Sequence, residues 1–447
     1  MLEAVVRSLA QALVRLYYPD RVVENAERLP AAAPALMVAN HPNGLLDPLV
    51  LRVASGRPVQ FLAKSGLFGN PASRLAMSAF GCVPVYRAHD KQASDQDRAA
   101  ANERTFAVCR ERLSKGAALA LFPEGVSHSD PQLKPLKTGA ARIALSAERE
   151  HTERTGQPLG LLVVPVGLGF EAKAIFRSRV LVVVGQPIPV AERLAEYRRD
   201  ERGAVDRLTD DVKAALDEVV LQAESRDLLE GVARVAAWTA PESGDSQDLA
   251  EQHRRARELL GAYKALNDKA PETVEPIVSA ARAYQRVLRH LGVRDPWALE
   301  LEPVHPGRAL AAVLRLMVAA PVALLGAILG WIPYRLAGQV AKRVAKEEDV
   351  LGTVKLLAGA AFLFVFWLAE SLIVGWKLGA GWGLLTFPVA IASGYVALRF
   401  EELTAEMVES LRHLWLRAAQ PGQVRKLAAR RRELADEISR ALRAAAG

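Results

Sequence analysis

Short apolar runs alternate with longer amphipathic segments between Arg21 and about Val190. The runs have the length of strands, and several are rich in β-branched residues; they read ALMVA, PVQFLA, CVPVY, ALALF, GLLVVPVGL and VLVVVG. Apolar runs of four to nine residues separated by amphipathic segments are typical of buried strands alternating with helices. The pattern therefore predicts an α/β domain whose sheet is covered by helices.

Helical spacing dominates on both sides of this region. Apolar residues recur at helical intervals in the first 20 residues, which predicts a helix that either packs on the domain or lies on a membrane surface with Arg7 and Arg15 at the headgroups. This segment lacks the features of a signal peptide. A helical segment closes the α/β domain, and charged, periodic sequence continues from 226 to 300, interrupted at TAPESGDSQD.

Long uncharged runs follow. Leu316 to Tyr334 is 19 residues without a charge, Leu378 to Leu398 is 21, and Leu356 to Trp376 between them contains a single charge, Glu370. About 20 apolar residues suffice for a helix to cross a bilayer, so the composition predicts a membrane region. We expect an N-terminal amphipathic helix at 1–20, a catalytic domain at 21–225 and a helical accessory segment at 226–308. A membrane region with two or three apolar helices follows at 309–398, and a basic cytoplasmic helical tail at 399–447.

Basic residues suggest a topology. The loop RLAGQVAKRVAKEED and the tail after Gln420 are both rich in Lys and Arg, which favours the cytoplasmic side for both. An odd number of crossings cannot place these two segments and the catalytic domain on one side. We therefore expect 356–398 to form a two-helix hairpin turning at KLGAGWG, with the preceding run, which contains Pro321 and Pro333, re-entrant or interfacial.

The formal net charge of +8 fits an anionic partner: a nucleic acid, a phosphorylated substrate or a phospholipid surface. No nucleic-acid partner is expected, because the basic residues are dispersed or adjoin the apolar runs and no recognition motif appears. Two cysteines, Cys82 and Cys109, provide neither a disulfide framework nor zinc spacing. They fit buried thiols in a reducing compartment.

Candidate chemistry begins in VANHPNGLLDPLVL, which places His41 and Asp47 just after a predicted strand. Asp47 fits the N-cap of a helix with Pro48 at the first helical position, and this alone would explain the carboxylate. Alternatively the turn folds back so that Asp47 fixes the tautomer of His41, leaving the other ring nitrogen free to take a proton from a hydroxyl. The spacing alone leaves both readings open.

Other polar residues follow predicted strands. Glu124 and Gly125 come directly after one strand, where an acidic side chain can bind polar substrate groups. Lys137 precedes Gly139 at a helix start, where free N–H groups and an ammonium together favour phosphate. Arg87 ends another strand and is suited to bidentate phosphate binding. Taken singly, Arg87 and Lys137 also fit solvated surface charges.

In combination these segments resemble the glycerolipid acyltransferase superfamily, the glycerol-3-phosphate and lysophosphatidate acyltransferases. The similar blocks come in order between about 40 and 170, in the N-terminal half of the chain: Asn40-His41 with Asp47; Gly81 to Arg87; Phe122-Pro123-Glu124-Gly125; Lys137-Thr138-Gly139; and Val164-Pro165-Val166. Two departures stand out. Five residues rather than four separate His41 from Asp47, and Ser127 occupies a position where the family often has Arg. The five-residue spacing between His41 and Asp47 and the sequence FPEGVSH are more similar to the fungal-type glycerol-3-phosphate and dihydroxyacetone-phosphate acyltransferases and their bacterial relatives. Those proteins also have membrane segments after the catalytic domain.

The resemblance implies direct acyl transfer from a thioester donor, acyl-CoA or acyl-carrier protein, to a phosphorylated glycerol acceptor. His41 would be the general base and Asp47 its partner. Glu124 and Gly125 would bind the glycerol, and the same resemblance implies that Asn40 positions the loop and that Arg87, Lys137 and Gly139 hold the phosphate. We expect no metal and no redox cofactor, since no HExxH, P-loop or dinucleotide motif appears.

Three functions remain open at this stage. The first is acylation of glycerol-3-phosphate or dihydroxyacetone phosphate in phospholipid biosynthesis, the second acylation of lysophosphatidate or another lysophospholipid, and the third a non-catalytic membrane scaffold. The expected location is integral to the cytoplasmic membrane of a bacterium, or to the endoplasmic reticulum of a eukaryote. In the bacterial case we expect the catalytic domain on the cytoplasmic side.

Overall fold

The structure, a computed structural model, describes residues 2–85, 95–173, 175–239, 248–293, 306–345 and 347–446. The chain divides into two compact units. The first contains residues 1–226 and the short segment 347–353, and the second contains 227–346 and 354–447. Each unit is described by itself below.

The first unit is built on an eight-stranded sheet. Its strands are β1 Asp20–Glu24, β2 Ala35–Ala39, β3 Val59–Lys64, β4 Val83–Val85, β5 Ala118–Leu121, β6 Leu162–Phe170, β7 Arg179–Val184 and β8 Ile188–Pro189. The order is β1-β7-β6-β2-β5-β3-β4, with β8 paired to β6. All pairings are parallel except those of β6 with β7 and with β8.

The helices of this unit are α1 Leu2–Tyr17, α2 Leu46–Ala54, α3 Pro71–Ala79, α4 Asp95–Ser114, α5 Gly139–Thr155, α6 Leu194–Arg199 and α7 Glu201–Val219. All five residues of the central strand β2 are buried, as expected of a parallel strand covered on both faces. The predicted α/β domain, a sheet covered by helices, is confirmed. In α1, Val6, Ala10, Val14 and Tyr17 form a buried stripe, so this helix packs on the domain.

Two strands escaped prediction. β1, with the sequence DRVVE, has charged residues at both ends and none of its residues is fully buried; it pairs only with β7. β8 has two residues. The segment predicted to close the domain as one helix is two helices, because the chain leaves helical geometry at Asp200, whose carboxylate accepts a hydrogen bond from the Gly203 N–H and caps α7.

The second unit is helical throughout its described residues. It contains α8 Arg226–Trp238, which starts at the boundary, α9 Leu249–Lys269, α10 Pro271–Leu291, and further helices at Pro306–Val344, Glu348–Leu378, Ala380–Ala419 and Pro421–Ala446. The first residues of Glu348–Leu378, up to Thr353, belong to the first unit. Trp238, Tyr284, Leu288, Leu416 and Leu434 belong to its buried apolar core. Aliphatic side chains of α8, α9 and α10 also line an apolar cavity of about 150 Å³.

Three helices of the second unit are long and apolar enough to cross a membrane: Leu310–Val344, Glu348–Leu378 and Ala380–Ala419. Large apolar side chains on them are exposed, among them Trp376 at 84% and Leu384 at 80%. The chain turns at Gly379, inside the predicted KLGAGWG turn, where a φ of 103° requires glycine.

One part of the predicted topology is corrected. The run containing Pro321 and Pro333 is not re-entrant, because both prolines lie inside the continuous helix Pro306–Val344, whereas an interfacial position stays a prediction. The two helices joined at Gly379 contact each other, with the ring of Phe364 against that of Phe387, and the second of them packs more extensively along the first apolar helix. Its backbone at Ser393 comes so close to Gly326 that a Cβ at Gly326 would overlap it. Small residues allow such close approach between apolar helices.

Candidate active site

The predicted site residues gather at one edge of the sheet. β2 and β5 are parallel neighbours, with Val38 opposite Leu121, so their carboxyl ends meet at the same edge. Asn40 and His41 directly follow β2, and Phe122 to Glu124 directly follow β5. The carboxyl ends of parallel strands are where α/β folds generally place ligand sites.

The predicted pair of His41 and Asp47 is present. His41 Nδ1 lies 2.7 Å from Asp47 Oδ2, with the histidine side chain 16% exposed and the aspartate side chain 0% exposed. The same Asp47 oxygen accepts a hydrogen bond of 2.7 Å from the Asn43 backbone N–H. A carboxylate bonded to Nδ1 holds that nitrogen as the donor, which leaves Nε2 as the basic nitrogen of a neutral imidazole.

The expected N-cap role of Asp47 is wrong. Helix α2 begins at Leu46, with Leu45 as its N-cap and no side-chain capping bond. Asp47 lies inside the first turn, and its carboxylate is directed back to the preceding loop instead of to the helix N–H groups. Of the two readings left open by the sequence, the geometry is that of the carboxylate–histidine pair.

The His41 ring is held from a second side. It stacks on the ring of Phe122, with centroids 4.0 Å apart and planes 10° from parallel. Its backbone N–H donates to Glu124 Oε1 at 3.2 Å, and its carbonyl accepts from the His128 N–H at 3.0 Å. No hydrogen bond to Nε2 is present among the residues that the structure describes. The imidazole is therefore fixed in orientation while one nitrogen is available.

Glu124 has protein partners at both carboxylate oxygens. Oε1 accepts from the His41 N–H, and Oε2 accepts from the Lys134 N–H at 2.7 Å and contacts His128 Nε2. The side chain is 0% exposed. The carboxylate thus connects the His41 loop to the loop that follows β5. Contact between Glu124 and an acceptor hydroxyl stays a prediction.

Asn40 is likewise occupied by protein partners. Its Oδ1 accepts from the Leu168 N–H at 2.7 Å and its Nδ2 donates to the Leu168 carbonyl at 3.0 Å, so the amide pairs with the β6 backbone like an extra strand residue. This bond fixes the end of β2 against β6. Positioning of the loop by Asn40 stays a prediction.

The phosphate-binding candidates are only partly described. Lys137 is exposed and lies over Gly125, where a Cβ would come within 2.5 Å of Lys137 Nζ and where φ is +75°. Gly139 is the first residue of α5, and a Cβ there would meet no described atom within 4 Å. The ammonium and the N-terminus of α5 thus adjoin the Glu124 loop. Arg87 lies outside the described residues.

Burial shapes the electrostatics of this site. Desolvation raises the pKa of Asp47 above its usual range, and the bonds from His41 and from the Asn43 N–H oppose that shift. Lys173, which donates to the Pro42 carbonyl and contacts Ser129 Oγ, has a pKa lowered by burial. Both cysteines of the chain are free, and burial raises the pKa of Cys82 to about 11 and of Cys109 to about 12. These thiols have the character of inert buried groups.

Both the N-terminal and the C-terminal part of the chain are similar to known protein families. Residues 20–169 match the acyltransferase family model, and residues 242–446 match the model described as the glycerol-3-phosphate acyltransferase 2 C-terminal domain. Glycerol-3-phosphate O-acyltransferase 1 of Saccharomyces cerevisiae is 25% identical over 78% of this chain. The chain therefore combines an acyltransferase domain with a segment similar to the glycerol-3-phosphate acyltransferase 2 C-terminal domain.

The relatives that match this chain are named for more than one acyltransferase activity. The chloroplastic 1-acyl-sn-glycerol-3-phosphate acyltransferase of Brassica napus is 33% identical over 33% of this chain and 36% of its own length. The chain covers 47% of the yeast enzyme and so spans about half the length of the curated relatives that it matches over most of its sequence. A solved structure, the 1-acyl-sn-glycerophosphate acyltransferase of Thermotoga maritima, has 20% identity and a TM-score of 0.32, with 47% of this chain and 80% of that chain covered.

Several residues that build this candidate site were missed by sequence reasoning. Phe122 and His128 are the first and last residues of the FPEGVSH block. Phe122 stacks on His41 and His128 contacts Glu124, and their places on either side of Glu124 were the available signal. Asn43 and Lys173 had no such signal. Asn43 acts through its backbone N–H, and Lys173 lies 131 positions from the carbonyl of Pro42, which it contacts.

Proposed function

We propose that this protein is a membrane-bound O-acyltransferase that moves an acyl chain from a thioester donor to a hydroxyl of glycerol-3-phosphate or dihydroxyacetone phosphate. The observation that carries the proposal is the bond of 2.7 Å between His41 Nδ1 and the buried Asp47 carboxylate, with His41 Nε2 free of described partners. A hydroxyl is too weakly acidic to attack a thioester unaided at neutral pH, and a base in this arrangement removes its proton during the attack.

In the proposed reaction, His41 Nε2 takes the acceptor proton while the hydroxyl oxygen forms a bond to the thioester carbonyl carbon. The buried Asp47 carboxylate stabilises the resulting imidazolium. The tetrahedral intermediate then expels the thiolate of the donor, which receives the proton from His41. The ester and a free thiol are the products, and the enzyme returns to its starting state with no covalent intermediate.

The proposed phosphate ligands are chosen by their positive charge. Lys137 and the N-terminus of α5 at Gly139 would bind the acceptor phosphate, because an ammonium and free helix N–H groups favour an anion. Arg87 is proposed as a second phosphate ligand. The donor is acyl-CoA or acyl-carrier protein, and the reaction as proposed requires no cofactor.

Membrane attachment is the second part of the proposal. Three helices have the length and hydropathy to cross a bilayer, and large apolar side chains on them are exposed. A lipid product that must enter a bilayer and two anionic substrates fit a basic, membrane-attached enzyme. We place the protein in the cytoplasmic membrane of a bacterium, with the catalytic unit on the cytoplasmic side, or in the endoplasmic reticulum of a eukaryote.

One observation favours a second acceptor. The 33% identical plant relative is named as a 1-acyl-sn-glycerol-3-phosphate acyltransferase. Lysophosphatidate presents the same phosphate and one free hydroxyl, so the same His41 chemistry would serve. The third possibility, a non-catalytic scaffold, fits poorly with a buried carboxylate that orients an imidazole whose Nε2 has no described hydrogen-bond partner.

The test uses detergent-purified protein and labelled acyl-CoA, with glycerol-3-phosphate, dihydroxyacetone phosphate and lysophosphatidate offered separately. We expect product from one of the first two acceptors, and loss of that product in His41→Ala. Product from lysophosphatidate alone would select the second function. Absence of product from every acceptor, repeated with acyl-carrier protein as the donor, would leave the scaffold.

A further inference from the structure

The segment 347–353 belongs to the first unit although it lies about 300 positions after the His41 loop. It contacts that loop directly. The backbone N–H of Leu45 donates a hydrogen bond of 3.0 Å to Thr353 Oγ1. Leu45 is the N-cap of α2, the helix that carries Asp47 two positions later. The threonine hydroxyl therefore supplies a partner for a backbone group at the start of the helix that holds the catalytic carboxylate.

Close backbone approach accompanies this bond. A Cβ at Gly352 would lie 2.9 Å from Asn43 Oδ1, 3.0 Å from Leu46 Cδ1 and 3.1 Å from the Lys173 carbonyl. On the other side, Gly44 has a φ of +52°, and a Cβ there would lie 2.9 Å from Thr353 Oγ1. Contacts this short leave no space for a side chain. Gly44 and Gly352 thus allow the segment to rest on the loop between His41 and Asp47.

Asn43 connects this packing to the chemistry. Its backbone N–H donates to the Asp47 oxygen that also bonds His41 Nδ1. Its side-chain amide donates to Tyr18 Oη at 2.7 Å and to the Lys173 carbonyl at 3.1 Å. A displacement of Asn43 would move one of the two donors that fix the Asp47 carboxylate. The position of Gly352 against Asn43 therefore bears on the His41–Asp47 geometry.

A salt bridge also holds the segment. Arg226 Nη1 lies 2.6 Å from Glu348 Oε2, and Arg226 Nη2 donates to the Ser129 carbonyl at 3.0 Å. Both charged side chains are 45% exposed, so this pair contributes little by itself. Asp349, next to it, is 1% exposed. The buried contacts of Gly352 and Thr353 are the stronger attachment.

We propose that Gly352 and Thr353 are positioning residues for the His41–Asp47 pair, so that the catalytic loop is completed by a segment about 300 positions further along the chain than the motifs. This inference rests on the proposed function. Neither residue touches the reacting atoms. They act by holding Asn43 and Leu45, and through them the Asp47 carboxylate.

The first test replaces Thr353 with valine, which keeps the shape and removes the acceptor for the Leu45 N–H. We expect kcat to fall by about tenfold or more with KM for both substrates nearly unchanged, because displacing a catalytic group by less than an ångström suffices for such losses. Thr353→Ser, which keeps the hydroxyl, should recover most of kcat. The matched control is Thr386→Val, at a threonine whose hydroxyl donates to the Trp382 carbonyl within its own helix.

The second test compares two glycines of the helix Glu348–Leu378. Gly352→Ala would press a methyl group against Asn43, whereas at Gly359 a Cβ meets no described atom within 4 Å. We expect Gly352→Ala to lower kcat and Gly359→Ala to leave it at the wild-type value. Both changes add the same group to the same helix, so a general effect of alanine on the helix cancels.

Thermal unfolding of each variant separates positioning from folding. A wild-type kcat in both Thr353→Val and Gly352→Ala, with or without a lower unfolding temperature, would overturn the inference and leave the proposed function intact. A wild-type protein inactive on every acceptor would overturn the proposed function itself. Lower kcat in Thr353→Val, restored in Thr353→Ser, with Gly359→Ala unaffected, is the result that the inference requires.

Discussion

Two loops at the same sheet edge each hold a buried carboxylate, and they use it differently. In residues 40–47, Asp47 bonds the His41 ring and one backbone N–H through Oδ2, and its buried Oδ1 has no partner among the described residues. In residues 123–139, Glu124 bonds two backbone N–H groups and His128 through both oxygens. One oxygen of the Asp47 carboxylate thus lacks a described partner, whereas both oxygens of the Glu124 carboxylate are bonded.

This difference indicates that the Asp47 loop takes part in the proposed chemistry and that the Glu124 loop supports the structure. A buried polar group without a partner costs free energy, so a fold generally retains one where it has a function. Among the described residues, Asp47 Oδ1 and His41 Nε2 have no hydrogen-bond partner. Glu124 has partners at both carboxylate oxygens, which is the arrangement of a support that rigidifies its neighbours. Both acids belong to family motifs, yet the geometry suggests different consequences when each is replaced.

The largest effect is expected for Asp47→Asn. The amide preserves the shape and one hydrogen bond but removes the charge that stabilises the imidazolium, and it can hold the imidazole in the wrong tautomer. We expect kcat to fall by about 10³-fold or more, as replacing the acid of a histidine–carboxylate pair does elsewhere. Stability should change little, because burial already penalises the Asp47 charge and raises its pKa. Steady-state kinetics and thermal unfolding measure the two quantities.

For comparison, Glu124→Gln should act mainly on the fold. A glutamine cannot accept from the His41 N–H on one side and the Lys134 N–H on the other, since its amide nitrogen is a donor. Leaving a buried donor unpaired costs about 1–3 kcal/mol, so a lower unfolding temperature is expected, with a smaller loss of kcat than in Asp47→Asn.

The acceptor KM distinguishes the two roles of Glu124. If the carboxylate binds acceptor hydroxyls as the sequence predicts, Glu124→Gln should raise the KM for the acceptor and leave the KM for the donor unchanged. A stable Glu124→Gln protein with a much higher acceptor KM would remove the contrast between the loops. Glu148→Gln is a suitable comparison, because that buried carboxylate also bonds backbone N–H groups, those of Leu159 and Leu161, within the same unit.

The sequence predicted those elements whose pattern of apolar and polar residues lies within a short stretch of the chain. Continuous apolar runs predicted the buried strands, and β1 was missed because a strand paired on one side, with charged ends, has no strong pattern. Asp47 was assigned two positions from its true place in the helix, within the usual uncertainty of helix ends. The bond of Glu124 with the His41 N–H and the contact of Thr353 with Leu45 depend on pairings across 83 and 308 positions, which no local spacing encodes.

The smallest expected effect concerns Gly139, which we propose binds the acceptor phosphate through the start of α5. A Cβ at this position meets no described atom within 4 Å, so Gly139→Ala should not destabilise the fold and, as alanine favours helices over glycine, could raise the unfolding temperature slightly. If the acceptor phosphate rests on the N–H groups at the start of α5, the methyl group would obstruct it.

We therefore expect Gly139→Ala to raise the acceptor KM by about two- to fivefold, with kcat and the donor KM unchanged, because one helix terminus contributes only part of the anion binding. Gly231→Ala, at a helical glycine of the second unit where a Cβ also meets nothing within 4 Å, provides the control for helix propensity. An unchanged acceptor KM in Gly139→Ala would mean that the phosphate is bound away from α5. Since Lys137 lies over Gly125 and not at the helix start itself, phosphate binding would then depend on Lys137, on the Glu124 loop and on the proposed ligand Arg87.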